Sequence, residues 1–324
     1  MESSKRPGNG QTGRRILQVG RLLPSLEEEL RVRYALQVLP TGPASESFLA
    51  DHGETFEAVV TTARVGVNAE LMRRLPRIGA IVHFGVGYDA TDVDEAMSRG
   101  IGVSNTPDVL TNCVADLAVS AMLAAVRGIA AADRFVRRGD WSRGGFPLTS
   151  RVGGKRVGIL GLGRIGRTVA KRLEGFDVDI RYHNRREAEG VRYRFHKSPY
   201  DLARWCDVLI VTTAGGDGTA GLVSAHVLDA LGSEGYLVNV SRGTVVDEAA
   251  MVARLVDGRL AGAALDVFVD EPNVPHQLLD LDNVVLLPHI ASATLETRQA
   301  MAQLVLGNLS QFLTDGTLLT PVPN

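Results

Sequence analysis

An α/β protein of two lobes, each a doubly wound parallel sheet covered by helices, is what this sequence predicts. Three observations carry that expectation. From about residue 15 short apolar runs rich in Val and Ile alternate with helical segments, the pattern of parallel strands joined by crossover helices. The alternation is interrupted once, by an alanine-rich stretch over residues 111–139, and then restarts. Finally, 324 residues, 45% hydrophobic and 22% charged, suffice for two domains with cores of their own.

The elements follow in order. "MESSKRPGNGQTGRR" is polar and without an apolar core, so residues 1–14 read as a disordered tail, with a transit peptide left open. "RRILQVG" is a first strand and "PSLEEELRVRY" a helix with an acidic first turn. "FEAVVTT" makes a second strand, and "NAELMRRLP" a helix stopped by proline. "IGAIVHFGVGYD" is a third strand ending in glycines, "DEAMSRG" a short helix and "IGVSNTP" a fourth strand. Residues 111–139 then read as one long helical segment with Thr111 as its N-cap. Its almost wholly apolar face suits burial between domains or subunits. In the second half the strands are "RVGIL", "DIRYHN", "DVLIVTT", "GYLVNVS", "LAGAALDVF" and "NVVLLPH", six in all. A last amphipathic helix spans about Leu295 to Leu313, so the second lobe reads as an insertion within the first.

Composition narrows the function. A formal charge of −2 supplies no basic field for nucleic acid or an anionic membrane, so neither is an expected partner. No apolar run approaches the roughly twenty residues of a membrane helix. Two cysteines, Cys113 and Cys206, stand far apart without CxxC spacing. They point to a reducing, cytoplasmic setting and to no zinc site.

"RVGILGLGRIGRTVAKRL" carries the first chemistry. A lone GxGxxG is weak, because glycines also serve turns and close packing. Here Gly161, Gly163 and Gly166 directly follow an apolar strand and open a helix. In that context Gly161 makes the turn, Gly163 lets a pyrophosphate approach, and Gly166 permits helix–strand contact, the Rossmann arrangement. Six strands with intervening helices complete it. The ribose contact comes at the next strand's end, about twenty residues on, where an NAD site presents Asp or Glu. This sequence has His183, Asn184, Arg185 and Arg186 instead. An arginine fork binds a 2′-phosphate that a carboxylate would repel. The expectation is NADP(H), with NAD(H) still possible and a solvated basic turn as the bland alternative.

Three further pieces, "NVSRGTVVDE", "LDVFVDEP" and "LLPHIASAT", fall at strand ends of the same lobe, where open α/β sheets bind ligands. They supply Arg242, Glu271 and His289. Singly, each has a plain structural reading: a turn arginine, a solvated loop acid, a strand-end histidine. Together they match the needs of 2-oxo acid reduction. Arg242 can hold carboxylate and carbonyl oxygens, while His289 donates a proton and Glu271 raises its pKa and orients it. Asp266 either accepts a hydrogen bond from a nicotinamide carboxamide or caps a turn.

With "GLGRIG", "VNVSRG", "LDVF", "DEP" and "LPHIASAT" in this order, the chain from about residue 15 to 324 resembles the D-2-hydroxyacid dehydrogenases. The resemblance implies a Rossmann domain over residues 106–290, inserted into a flavodoxin-like substrate domain made of 15–105 plus 291–324. It implies Arg242, Glu271 and His289 as catalytic residues, and Val86 and Gly87 of "FGVGYD", with Arg242, as substrate contacts. Cofactor contacts are then expected at Gly161, Gly163, Arg164, Ile165, Gly166, Asn184, Arg185, Arg186, Thr213, Val240, Ser241, Asp266 and His289. Within the family, "VSNTPDVLTNCVADLAV", "HNRR" and "LVNVSRGTVVDE" are most similar to NADPH-dependent glyoxylate/hydroxypyruvate reductases and their hydroxyphenylpyruvate-reducing relatives. "TNCVAD" and "TTAGGDGTAGLV" depart from the family's usual stretches. The family also implies a homodimer joined through the dinucleotide lobes. Small 2-oxo acids are the expected substrates and bulkier aryl-pyruvates the alternative. A cofactor-sensing co-repressor is the reading from another class.

Overall fold

The computed structural model describes residues 13–323, so most of the expected disordered tail lies outside the described residues. The chain forms two compact units. One comprises the described residues up to Leu110 and resumes at Leu295; the other is Thr111–Thr294.

The first unit holds strands β1 (Arg15–Gln18), β2 (Ala35–Val38), β3 (Ala58–Thr62), β4 (Ala80–Phe84) and β5 (Gly102–Ser104). All pairings are parallel and the order is β2-β1-β3-β4-β5. That order is the flavodoxin-like winding. Helices α1 (Pro24–Arg33), α2 (Ala44–His52), α3 (Ala69–Arg73) and α4 (Val93–Ser98) connect the strands. Proline at the start of α1 and i,i+4 pairs Glu27–Arg31 and Glu29–Arg33 favour helix there. Leu17, Phe56, Val59, Met72, Leu75 and Ile81 form the centre of this unit's core.

The sequence reading finds four strands here, and the structure has five. The missed strand, β2, lies at the sheet edge and buries only Leu36, too little for an apolar run to register. Its neighbour α2 buries no residue at all, so no helical stripe announces it.

The second unit contains β6 (Arg156–Leu160), β7 (Asp179–His183), β8 (Arg194–Phe195), β9 (Val208–Val211), β10 (Tyr236–Asn239), β11 (Gly262–Leu265) and β12 (Val284–Leu286). The parallel order is β12-β11-β10-β9-β6-β7-β8. Counted from the unit's own first strand this is 3-2-1-4-5-6 with a seventh strand added, the Rossmann winding. The extra strand beyond the six expected is β8, a two-residue edge strand. The unit's helices are α5 (Thr111–Val126), α6 (Ile129–Arg137), α7 (Arg164–Leu173), α8 (Pro199–Trp205), α9 (Ala225–Leu231) and α10 (Glu248–Val256). The last helix, α11 (Leu295–Asp315), belongs to the first unit.

Two expectations about residues 111–139 are corrected. The segment is two helices meeting at 61°, because Gly128 takes a left-handed backbone (φ 58°) that interrupts α-helical bonding. The apolar face of α5 is also spent within its own unit: Val114, Ala118, Val119 and Met122 are buried, and α5 packs on α7 and strands β9 to β12. No single helix among the described residues is long and apolar enough to cross a membrane.

Candidate active site

The turn after β6 is built on three glycines with three different constraints. Gly161 has φ 103°, a conformation glycine reaches without strain. A Cβ there would lie 2.6 Å from the Thr213 backbone N, and a Cβ on Gly166 would lie 2.2 Å from the Gly161 carbonyl O. Backbone therefore closes both positions, and Thr212 Oγ1 donates to that same carbonyl at 2.8 Å. Gly163 differs, since a Cβ there would meet nothing within 4 Å. Arg164 and Ile165 follow it at the start of α7, which has no side-chain cap. A helix leaves its first N–H groups to outside partners, and an anion is the natural one. The loop thus fits a dinucleotide pyrophosphate: an open glycine in the middle, packed glycines on either side, and unscreened helix donors.

The end of β7 is tied to this loop. Asn184 Oδ1 accepts from Leu162 N at 2.6 Å, in the zone where an NAD site has its acid. His183 Nδ1 meets the His196 carbonyl at 2.8 Å. Arg185 and Arg186 follow on the exposed turn. Two guanidinium groups beside the ribose position suit a 2′-phosphate.

At the end of β10, Asn239 is buried, and its side chain folds the next three residues. Oδ1 accepts from Ser241 N at 3.0 Å and from Ser241 Oγ at 2.9 Å, while Nδ2 donates to the Arg242 carbonyl at 2.9 Å. Asparagine is suited to such local turns. Val240 and Ser241 are buried in the turn, and half-buried Arg242 donates from Nη1 to the Ser241 carbonyl at 2.8 Å. The next residue, Gly243, lies flat against the loop after β11: a Cβ would fall 2.0 Å from the Phe268 carbonyl carbon.

That loop carries Glu271. Its Oε1 accepts from Phe268 N at 3.1 Å, and its Oε2 lies 2.8 Å from His289 Nδ1. His289 has φ 55°, a left-handed backbone that is uncommon and costly for a residue other than glycine. It is held there by Asp266, at the end of β11. Its Oδ1 accepts from Ile290 N at 2.7 Å and its Oδ2 from Ala291 N at 2.9 Å. Burial raises the Asp266 carboxyl pKa, against the lowering pull of those two N–H groups and of His289. Of the two roles weighed for Asp266, the structure shows the turn-capping one. Each oxygen keeps a lone pair for another donor.

Glu271 and His289 are therefore in direct contact, Asp266 grips the backbone beside His289, and the segment of Arg242 touches the Glu271 loop. Val86 and Gly87 lie in the other unit, just past β4, where the Val86 carbonyl accepts from Asn105 Nδ2 at 2.7 Å. Sequence reasoning missed Asn239 and Glu248. Asn239 was detectable as a turn-forming residue ending a strand; Glu248 reads as an ordinary first-turn acid of a helix.

A Rossmann-wound unit with an arginine and a carboxylate–imidazole pair at its strand ends defines a nicotinamide-dependent oxidoreductase. Residues 119–291 match the family described as D-isomer specific 2-hydroxyacid dehydrogenase, NAD binding domain. The chain is 47% identical over 297 residues to hydroxyphenylpyruvate reductase from Plectranthus scutellarioides, covering 92% of this chain and 95% of that one. It is 46% identical, with the same coverage, to glyoxylate/hydroxypyruvate reductase A from Arabidopsis thaliana. Among solved structures, an NADPH-dependent glyoxylate/hydroxypyruvate reductase from Sinorhizobium meliloti, in complex with NADP and malonate, superposes with a TM-score of 0.90. Identity is 42%, over 96% of this chain and 97% of that one. The protein belongs to the D-isomer specific 2-hydroxyacid dehydrogenase family.

Proposed function

We propose that this protein reduces small 2-oxo acids, glyoxylate and hydroxypyruvate first, to 2-hydroxy acids at the expense of NADPH. The observation that carries the reading is the 2.8 Å contact of His289 Nδ1 with Glu271 Oε2, beside a loop packed on the segment of Arg242. When bound, the dihydronicotinamide supplies the hydride for C2 of the substrate. Arg242 engages the substrate carboxylate through its planar fork, which also orients the carbonyl. Glu271 accepts a hydrogen bond from Nδ1–H of His289, which leaves Nε2–H of the imidazolium as the group that gives its proton to the carbonyl oxygen. Asp266 keeps the His289 backbone in the conformation this needs.

NADPH is favoured over NADH by Arg185 and Arg186 on the turn after β7, and by the NADP found with the S. meliloti relative. The relative from P. scutellarioides supports a second substrate class, the aryl-pyruvates. The names of these relatives give no support to a co-repressor. A homodimer remains part of the proposal, with α6 and the loop behind it as the contact. Ile129, Val136, Trp141 and Leu148 expose apolar side chains there.

The test is oxidation of NADPH and NADH with glyoxylate, hydroxypyruvate and hydroxyphenylpyruvate, on protein sized by light scattering. Turnover with the first two and NADPH is expected. No turnover with any 2-oxo acid and either cofactor refutes the reading.

A further inference from the structure

Granted that reading of Arg242, Glu271 and His289, one carboxylate outside the set has a bond that helix capping does not explain. Glu248 is the first residue of α10, but that helix already has its cap: Asp247 accepts from Ala250 N at 3.0 Å. Glu248 reaches elsewhere. Its Oε2 accepts from Val269 N at 3.0 Å, in the loop that carries Glu271. The preceding N–H, of Phe268, goes to Glu271 Oε1 at 3.1 Å. Two successive peptide N–H groups are therefore each held by a carboxylate, one from α10 and one from the acid–base pair.

The peptide between them is also the surface on which Gly243 rests. A Cβ on Gly243 would fall 2.0 Å from the Phe268 carbonyl carbon and 2.4 Å from Val269 N. Since Gly243 follows Arg242, the Phe268–Val269 peptide meets the anchor's segment, while the peptide before it, joined at the Phe268 Cα, gives its N–H to the Glu271 carboxylate. A turn of the Phe268–Val269 plane is passed through Phe268 to that N–H, and so moves Glu271 relative to Arg242.

Val269 is half exposed (50%), which separates two purposes the bond could serve. Water can replace a hydrogen bond at an exposed N–H at little cost in stability. Water does not fix a direction, whereas a carboxylate on the first turn of a helix does. We infer that Glu248 is a positioning residue: by holding Val269 N–H it sets the Phe268–Val269 plane, and with it the placement of Glu271 against Arg242. It touches no reacting atom.

The test uses Glu248→Ala and Glu248→Gln in the full-length enzyme, read by steady-state kinetics, melting temperature and amide hydrogen exchange over residues 267–271. A misplacement of about 1 Å at a reacting centre can cost on the order of 100-fold. For a loosened loop, Glu248→Ala is expected to lower kcat roughly 10-fold and to leave the KM for NADPH within about twofold. Exchange at 267–271 should quicken with little change in melting temperature. Glu248→Gln should restore both rate and protection, because its amide oxygen accepts the same N–H. Native kcat and native exchange in Glu248→Ala overturn the inference, as does a Gln variant impaired as badly as the Ala variant. Should the wild type reduce no 2-oxo acid, the functional reading fails on its own. The exchange data then decide the positioning role, and unchanged protection in Glu248→Ala rejects it.

Discussion

His289 sits in a backbone conformation that costs a non-glycine residue on the order of 1 kcal/mol or more, and Asp266 is what keeps it there. Both carboxylate oxygens are used, one on Ile290 N and one on Ala291 N. Asparagine at position 266 retains the shape but offers one acceptor, and turns an NH2 group toward the other N–H. The turn then relaxes and the imidazole loses its direction toward the substrate, although Glu271 remains. Asp266→Asn is expected to lower kcat about 10-fold or more with the KM for NADPH within about twofold. Steady-state kinetics separate this from the other role considered for the residue. A lost carboxamide contact would raise the KM for NADPH instead, and that outcome would make the backbone grip secondary. The sequence left this choice open because an Asp at a strand end looks the same whether its carboxylate turns to backbone or to a ligand.

At the scale of elements, the strands and loops that were legible are those with a strong local reason. The β6–Gly161–α7 unit could be read because a turn, an open approach and a close packing each demand glycine at a set spacing. The Arg242, Glu271 and His289 segments could be read because strand ends collect chemistry in open α/β sheets. Edge elements with little to bury, β2, α2 and β8, were not legible. Nor was the break at Gly128, since a glycine within an apolar helical pattern leaves periodicity intact. Glu248 stayed hidden for another reason: its partner, Val269 N, is 21 residues away, and no local pattern encodes that pairing. The turn after β7 gives this scale its prediction. Removing both guanidinium groups, Arg185→Ala with Arg186→Ala, should raise the KM for NADPH at least about 10-fold, the worth of one or two charge-assisted bonds. The KM for NADH should stay within about twofold. An equal loss for both cofactors would show that the arginines support the turn and do not read the phosphate.

Each of the two units has a hydrophobic core of its own, and each carries its own means of being perturbed and observed. Both tryptophans, Trp141 and Trp205, belong to the inserted unit, so indole fluorescence follows that unit alone, whereas far-UV circular dichroism follows both. The other unit carries His83, fully buried in β4 with Nε2 at 2.9 Å from Thr91 Oγ1. Burial lowers its pKa to about 4, against the opposing pull of Asp89 and the Thr62 backbone. Unfolded, the same imidazole takes a proton near its ordinary value of 6.5. Between those two values the unfolded chain binds more protons than the folded one. The stability His83 contributes is therefore complete above pH 6.5 and lost as pH falls toward 4. From pH 7 to pH 5 the loss is about 2 kcal/mol. In urea, with slopes of roughly 1–3 kcal/mol per molar, that is a shift of about 1 M. His196 in the inserted unit is shifted the same way by desolvation, but it is only partly buried and its effect is correspondingly small. NADPH acts on the opposite unit: at about 100 times its Kd it adds about 2.7 kcal/mol to whatever binds it. Acidification should then move the dichroism transition to lower urea while the fluorescence transition stays nearly in place. NADPH at pH 7 should raise the fluorescence midpoint by about 1 M or more and leave part of the dichroism change behind. Coincident fluorescence and dichroism transitions, shifted equally by acid and by cofactor, would show instead that the two cores unfold as one.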